Sequence, residues 1–363
     1  MTAAAALTTR PGVPAPGAAA IAVATAALAR VRVAAPARLH LGFLDPAATL
    51  GRRFGSVGLV LDGLDTIVEI EDAGSDRFEA FDGGEAALAC ALGHLRTLRA
   101  ATRCAAPVRL ALRAAPPMHA GLGSGTQLAL AVGTAFSRLF DLGLASGPLA
   151  TLLGRGARSG VGIAGFDHGG LLLDGGPRAD GTPAALLARL PLPDPWRVIV
   201  ALDPRLQGLS GAGEKAALAT LPPLPHAVSA EICHEVLMRL LPGAAGAEFE
   251  PFAAGVTHIQ RLLGDHFAPA QQGRRFTSAA VAGLMDWLAA HALAGIGQSS
   301  WGPAGFAIMR SAADARQALA SARAAGVLDP ALEVRVTTAR NRGASVTAEP
   351  AGDFAATTAW PAG

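Results

Sequence analysis

Lysine is nearly absent from this chain of 363 residues, Lys215 being the single example. A Walker-type phosphate loop ends in Gly-Lys-Ser/Thr because the lysine reaches the outer phosphates, so that class of nucleotide site is excluded. Cysteine is scarce as well. Cys90, Cys104 and Cys233 are odd in number and form no C-x-x-C pair, which argues against a disulfide framework and a zinc knuckle. Charge is thin, with 16% of residues charged and a formal net charge of +2. The basic residues are scattered arginines rather than a patch, so nucleic acid is not an expected partner. No apolar run reaches the roughly 18 uninterrupted residues of a membrane span, so no membrane partner is expected either. The stretch Ala18 to Ala29 has the apolarity of a signal-peptide core, yet Pro11, Pro14 and Pro16 precede it and no basic cluster opens the chain. Residues 1–30 therefore read as a flexible leader and the protein as cytoplasmic.

What the chain does have is enough apolar material for a large core: 51% of it is hydrophobic, which at this length suits two domains. Arg30 to Ala34, Ser56 to Leu61, Asp65 to Asp72 and Val108 to Leu112 read as strands, with Glu85 to Ala101 helical between them. Gln127 to Leu139 is an apolar helix with Leu128, Val132 and Phe136 on one face. A helix near Pro148 to Arg158, a Gly-rich bend and a strand at Gly170 to Asp174 follow. The Pro-rich segment Pro177 to Pro195 reads as an inter-domain connection. Beyond it come strands at Trp196 to Leu202, Gly305 to Met309 and Leu332 to Thr338, and helices at Glu231 to Leu241, Pro251 to Leu263 and Ser278 to Ala292. We expect domains at 31–190 and 191–350, a tail at 351–363, and an α+β fold rather than a doubly wound sheet.

One stretch carries most of the chemistry. Pro117-Met118-His119-Ala120-Gly121-Leu122-Gly123-Ser124-Gly125-Thr126-Gln127 places alternate glycines and two hydroxyls directly before the apolar helix. Glycine allows close backbone approach and positive φ, and the first-turn N–H groups and helix dipole favour an anion there. Gly121, Gly123, Ser124, Gly125 and Thr126 are accordingly candidate phosphate-binding residues. The loop lacks the dinucleotide pattern G-x-G-x-x-G.

The loop resembles the P-x-x-x-G-L-G-S-S motif of the GHMP kinase superfamily, with Gly125-Thr126-Gln127 in place of the usual Ser-Ala-Ala ending. In that departure it is similar to the branch of β-ribofuranosylaminobenzene 5'-phosphate synthases. Other segments agree in order along the chain. They are Ala35-Pro36-Ala37-Arg38-Leu39-His40-Leu41-Gly42, Gly51-Arg52-Arg53-Phe54-Gly55, Arg158 to Gly170, Gly208-Leu209-Ser210-Gly211, Gln298-Ser299-Ser300-Trp301 and Asn341-Arg342-Gly343. Arg38 stands where the kinases of the superfamily have a lysine. The resemblance spans about residues 31 to 346 and implies a ribosomal S5 domain 2-like N-terminal domain, a ferredoxin-like C-terminal domain and a site between them.

It also implies a reaction: phosphoribosyl pyrophosphate joined to p-aminobenzoate or p-hydroxybenzoate, with loss of CO2 and pyrophosphate, on the way to tetrahydromethanopterin. Asp167, His168 and Arg38 are the catalytic candidates, and Asp167 lies near the position of the kinase aspartate. His40, Arg52, Arg53, Ser210, Gln298, Ser299, Ser300 and Trp301 are the further substrate-binding candidates, the arginines for phosphate or carboxylate and the indole for an aromatic ring. No metal-ligand spacing is evident. Mg2+ is expected to arrive with the diphosphate and to borrow carboxylates such as Asp45 or Asp167; no tightly bound organic cofactor is expected. The partners are small-molecule substrates, with a homodimer left open. Two other readings stay open: an ATP-dependent small-molecule kinase, and a non-catalytic sensor of phosphate ligands.

Overall fold

The computed structural model describes residues 28–209 and 211–350. The tail at 351–363, the leader except for its last residues, and Ser210 lie outside the described residues.

The first sheet is built on a long antiparallel hairpin of β1 (Leu28–Asp45) and β2 (Phe54–Asp72). Val31, Val33, Ala35, Ala37, Leu39 and Leu41 of β1 are all buried, the period of two of a strand with one face in a core. A register shift between Pro36 and Arg38 changes what that face meets. Before it, Val31, Val33 and Ala35 pack with the first helices; beyond it, Ala37, Leu39 and Leu41 pack against the second half of the molecule. Across that shift β1 advances two residues, from Pro36 to Arg38, while β2 advances five, from Asp65 to Val60, so β2 bulges away and β1 keeps its alternation. In this part of β1, Arg38 donates to Leu122 O and Gly121 O of the glycine-rich loop, and His40 N donates to Ser299 Oγ.

β3 (Arg77–Ala80) runs parallel to β4 (Val108–Ala114), connected by α1 (Glu85–Thr102). The loop leads into α2 (Ser124–Leu139), and α3 (Ser146–Leu152) and α4 (Val161–His168) follow. Ile163 and Phe166 of α4 join the core of the first helices. The stretch expected as a Gly-rich bend is thus a helix. Its glycines serve close packing, since a Cβ on Gly165 would stand 2.9 Å from Val60 Cγ2 and one on Gly162 3.1 Å from Thr126 Cγ2. β5 (Leu171–Asp174) pairs with β2 and with β6 (Leu186–Leu190). The Pro-rich segment expected as a plain connection therefore supplies a strand.

The second sheet starts with β7 (Arg197–Leu202). Then come α5 (Gly211–Thr220), α6 (His226–Glu235), a π-helical turn at Val236–Leu240, α7 (Leu241–Ala245), α8 (Phe249–Phe267) and α9 (Ala279–His291). β8 (Ala294–Gln298), β9 (Ala304–Met309), α10 (Ala312–Ala324) and β10 (Glu333–Thr337) complete it. The order β10-β7-β9-β8, all antiparallel, is the βαββαβ arrangement of a ferredoxin-like sheet. β9 is buried throughout: Phe306 and Ile308 join the core that α6 to α8 share with β1 and β2, and Ala307 and Met309 join that of α9 and α10. The fold is α+β, as expected. The C-terminal segment does not close on itself, however. β11 (Ser345–Pro350) crosses back and pairs antiparallel with residues 28–34 of β1, so residues expected in the second domain complete the first sheet. Among the described residues no helix is long and apolar enough to cross a membrane.

Candidate functional site

The glycine-rich loop is pinned by its own carbonyls. Leu122 O accepts from Arg38 N at 3.0 Å, His119 O from Gly208 N at 3.0 Å, and Gly121 O from Arg38 Nη1 at 2.9 Å and Ser299 Oγ at 2.7 Å. Gly123 caps α2 at φ 77°, with no side-chain cap and no acid in the first turn. The first intrahelical acceptor is Gly123 O, which takes the N–H groups of Thr126 and Gln127. The amides of Ser124 and Gly125 before them stand outside that ladder, at the positive end of the helix dipole. Ser124 Oγ donates to Pro117 O at 3.3 Å, which holds the turn.

Three glycine-containing segments meet at this loop, closer than any side chain allows. A Cβ on Gly121, which has φ 87°, would lie 2.2 Å from Ser299 O; one on Gly302 would lie 2.2 Å from Ala120 O, and one on Gly208 2.4 Å from Trp301 O. The segments at Gly121–Gly123, Gly208 and Gln298–Gly302, far apart in sequence, thus form one wall between the two halves of the molecule.

Around that wall lies more positive than negative charge. Arg38 approaches Gly123 so closely that a Cβ there would be 3.1 Å from Cζ. Arg158 pairs with Glu214 of α5, and Glu214 also accepts a hydrogen bond from the Trp301 indole. Arg38 Nε, Arg158 Nη1 and His40 Nε2 are buried with no hydrogen-bond partner. Burial lowers the Arg38 pKa to about 10 against the opposing pull of Glu214. Burial, then the charges of Arg38 and Arg158, hold His40 down at about 3, so the imidazole is neutral. Burial pushes Glu214 upward against both arginines. One carboxylate facing two guanidinium groups and a helix N-terminus leaves an excess of unpaired donors, which an anion would satisfy. A further arginine flanks the other side of the helix start. Arg155 Nη1 lies 3.5 Å from where a Gly125 Cβ would stand, and Arg155 has no carboxylate partner among the described residues. It contacts His94 Nε2 at 3.3 Å, and burial together with the Arg155 charge holds His94 at about 4.

The expected residues divide. Arg38, His40, Gly121, Gly123, Ser124, Gly125, Thr126, Ser299, Ser300 and Trp301 gather at or beside the loop. Gln298 is beside it too, but its amide is used inwards, donating to Gln271 Oε1 and Ser300 O and accepting from Thr277 N. Ser299 Oγ likewise bridges His40 N and Gly121 O. Both position the turn. Arg52 and Arg53 are exposed at the tip of the β1–β2 hairpin, Arg53 lying over the Phe54 ring at 5.8 Å. Asp167 and His168 do not join the group. They are exposed at the C-terminal end of α4, where Asp167 accepts from Ser146 Oγ at 2.6 Å, whereas α4 meets the loop near its other end, at Gly162. Asp45 is taken up by its own turn and by α6, accepting from Ala47, Thr49 and Ser229.

Arg158 and Arg155 are the residues that sequence reasoning missed; Glu214 was legible only as a polar group beside Ser210 and Lys215. Arg158 opens a quoted motif and Glu214 follows another, but the partner of each lies on a different segment, and no spacing rule connects them.

Several known proteins resemble this chain. Residues 87–170, which include the loop, match the family described as GHMP kinases N terminal domain. A beta-ribofuranosylphenol 5'-phosphate synthase from Archaeoglobus fulgidus is 35% identical over 62% of this chain and 74% of its own length. Another of that name from Methanothermobacter thermautotrophicus is 28% identical over 86% of this chain and 97% of its own. In three dimensions, a galactokinase from Lactococcus lactis matches with a TM-score of 0.63 at 12% identity, over 87% of this chain and 95% of its own, which speaks for the fold alone. With the loop, the wall and the relatives in agreement, this chain belongs to the beta-ribofuranosylphenol 5'-phosphate synthase family, on the GHMP kinase fold.

Proposed function

We propose that the protein is a decarboxylating phosphoribosyltransferase that joins phosphoribosyl pyrophosphate to a hydroxybenzoate or aminobenzoate acceptor. The observation that carries this reading is the pair of buried donors without partners, Arg38 Nε next to the open N-terminus of α2 and Arg158 Nη1 next to Glu214. The relatives are named for a ribofuranosylphenol product, which favours a hydroxylated acceptor over the amino compound.

In the reaction the C1–oxygen bond of the donor breaks and its electron pair leaves with pyrophosphate. A new carbon–carbon bond forms from the ring carbon bearing the carboxylate, and the ring–carboxylate bond then breaks to release CO2 and restore aromaticity. No phosphoryl group moves. The amides of Ser124 and Gly125 with Arg38 and Arg158 hold the diphosphate and stabilise the charge it gains on leaving. The glycine wall brings the second half of the molecule against the loop, so the acceptor can be held within attack distance of the anomeric carbon. Among the described residues no three His, Cys, Asp or Glu side chains converge as a metal cage. Mg2+ would come with the diphosphate, held chiefly by its oxygens, and would neutralise part of its charge; Glu214 is the carboxylate of this cluster that could add a ligand.

The test is release of labelled CO2 from carboxyl-labelled p-hydroxybenzoate and p-aminobenzoate with phosphoribosyl pyrophosphate and Mg2+, without ATP. Donor-dependent release from either acid is the expected result. No release from both, with phosphate transfer from ATP to a small alcohol, would replace this reading by a kinase.

A further inference from the structure

The short connection Gly154-Arg155-Gly156-Ala157-Arg158-Ser159-Gly160 between α3 and α4 carries two arginines. Both of its ends are fixed. Arg155 N donates to Ala150 O at 2.7 Å, and Asp174 accepts from Ser159 Oγ at 3.3 Å and from Gly160 N at 2.7 Å. Between them Gly156, at φ 84°, packs so closely that a Cβ there would stand 2.8 Å from Ile163 Cδ1. One anchored segment thus presents Arg155 and Arg158 together, their Cα atoms at most about 10 Å apart. Their partners differ. Arg158 faces the carboxylate of Glu214. Arg155 Nε is buried with no partner, and Nη2 meets His94 Nε2 at 3.3 Å. His94 is held neutral, so it can accept that hydrogen bond but brings no counter-charge. Arg155 Nη1 lies 3.5 Å from where a Gly125 Cβ would stand, as Arg38 lies against Gly123. The start of α2 therefore has a guanidinium at each of two glycines, two residues apart. Phosphoribosyl pyrophosphate has two anionic ends, the diphosphate on C1 and the phosphate on C5, with the ribose between them. A half-buried guanidinium with neutral neighbours offers planar, two-pronged donors to a phosphate monoester.

We propose that Arg155 forms a second anion subsite, which takes the C5 phosphate of the donor while Arg38 and Arg158 take the diphosphate. The inference rests on the phosphoribosyl-transfer reading above. It adds the residue by which the protein recognises a phosphorylated sugar.

The test is calorimetric titration of the full chain with ribose 5-phosphate at saturating pyrophosphate and Mg2+, which keeps the sugar phosphate out of the diphosphate cradle, and separately with pyrophosphate alone. The wild-type protein is expected to bind both. Arg155→Met, which keeps the apolar stem, should weaken ribose 5-phosphate at least about tenfold, the effect of a lost charge-assisted hydrogen bond. Pyrophosphate affinity should stay within about twofold. His94→Asp leaves Arg155 in place but sets a carboxylate beside it, and should also weaken ribose 5-phosphate several-fold. Unchanged ribose 5-phosphate affinity in Arg155→Met, an equal loss of pyrophosphate affinity, or a wild-type protein that takes no ribose 5-phosphate beside pyrophosphate would overturn the proposal. Donor-dependent CO2 release with an unaltered donor KM in Arg155→Met would defeat the subsite and leave the activity standing; the expected binding pattern without any CO2 release would do the reverse.

Discussion

At the scale of single residues, the site depends on glycines that admit no side chain and on charges that lack a counterpart. Gly121 combines φ 87° with an approach of 2.2 Å to Ser299 O, so Gly121→Ala adds both backbone strain of about 1–2 kcal/mol and a clash with the opposite wall. We expect pyrophosphate affinity to fall at least about tenfold, read by calorimetry, with a lower melting temperature. Glu214→Gln removes the carboxylate that opposes Arg38 and Arg158; Mg2+-free pyrophosphate should then bind several-fold more tightly at low salt, and equal or weaker binding would contradict the charge assignment. The two depressed histidines give a pH dependence with a definite sign. His40 and His94 stay neutral in the folded protein down to about 3 and about 4. The unfolded chain takes up both protons as pH falls below about 6.5, so their contribution to stability is present above that pH and is lost on acidification. Melting temperature should fall from pH 6.5 towards 4, and His94→Gln should flatten that slope. The glycines and Arg38 were legible in the sequence because the loop pattern is local. Arg158 and Arg155 were not, because their partners, Glu214 and His94, lie on distant segments that only folding brings to them.

At the scale of elements, α4 shows how a glycine-rich segment can be either bend or helix. Its glycines lower helix propensity, yet Gly162 and Gly165 are where it touches Thr126 and Val60, and packing outweighs propensity. The start of α4 is anchored from outside the helix. Buried Asp174 accepts from Gly160 N at 2.7 Å, Val161 N at 3.2 Å and Gly176 N at 2.8 Å. Asp174→Ala should destabilise the protein by about 2 kcal/mol, with calorimetric melting as the measurement, because three buried donors lose their acceptor. At the other end of the same helix, Asp167→Asn should leave turnover within about twofold, since Asp167 is exposed and bonded to Ser146; a large loss of turnover with binding retained would restore it as a catalytic group. Hydrophobic periodicity placed α1, α2, α9 and most strands nearly where they lie. It missed β3, β6, β8, α5, α7 and α10, which are short or carry a weak amphipathic signal.

At the scale of the whole molecule, β11 ties the chain's end to its first strand. Truncation after Ala344 would leave the outer edge of residues 28–34 of β1 unpaired, and we expect a lower melting temperature and aggregation, read by light scattering, as an apolar strand edge becomes available to other copies. This return could not be read from the sequence, because pairing between residues over 300 positions apart leaves no local pattern. The sequence by itself determined the α+β class, the loop before α2, the order of the family segments and so the family, because these depend on local periodicity, turn chemistry and motif order. Only the tertiary structure decided that Arg38 bonds the loop carbonyls, that Gly208 and Gly302 close against it, and that Arg158 and Glu214 join it while Asp167 does not. Those outcomes depend on which surfaces meet once the two sheets pack, and on the loss of water that leaves their charges without partners.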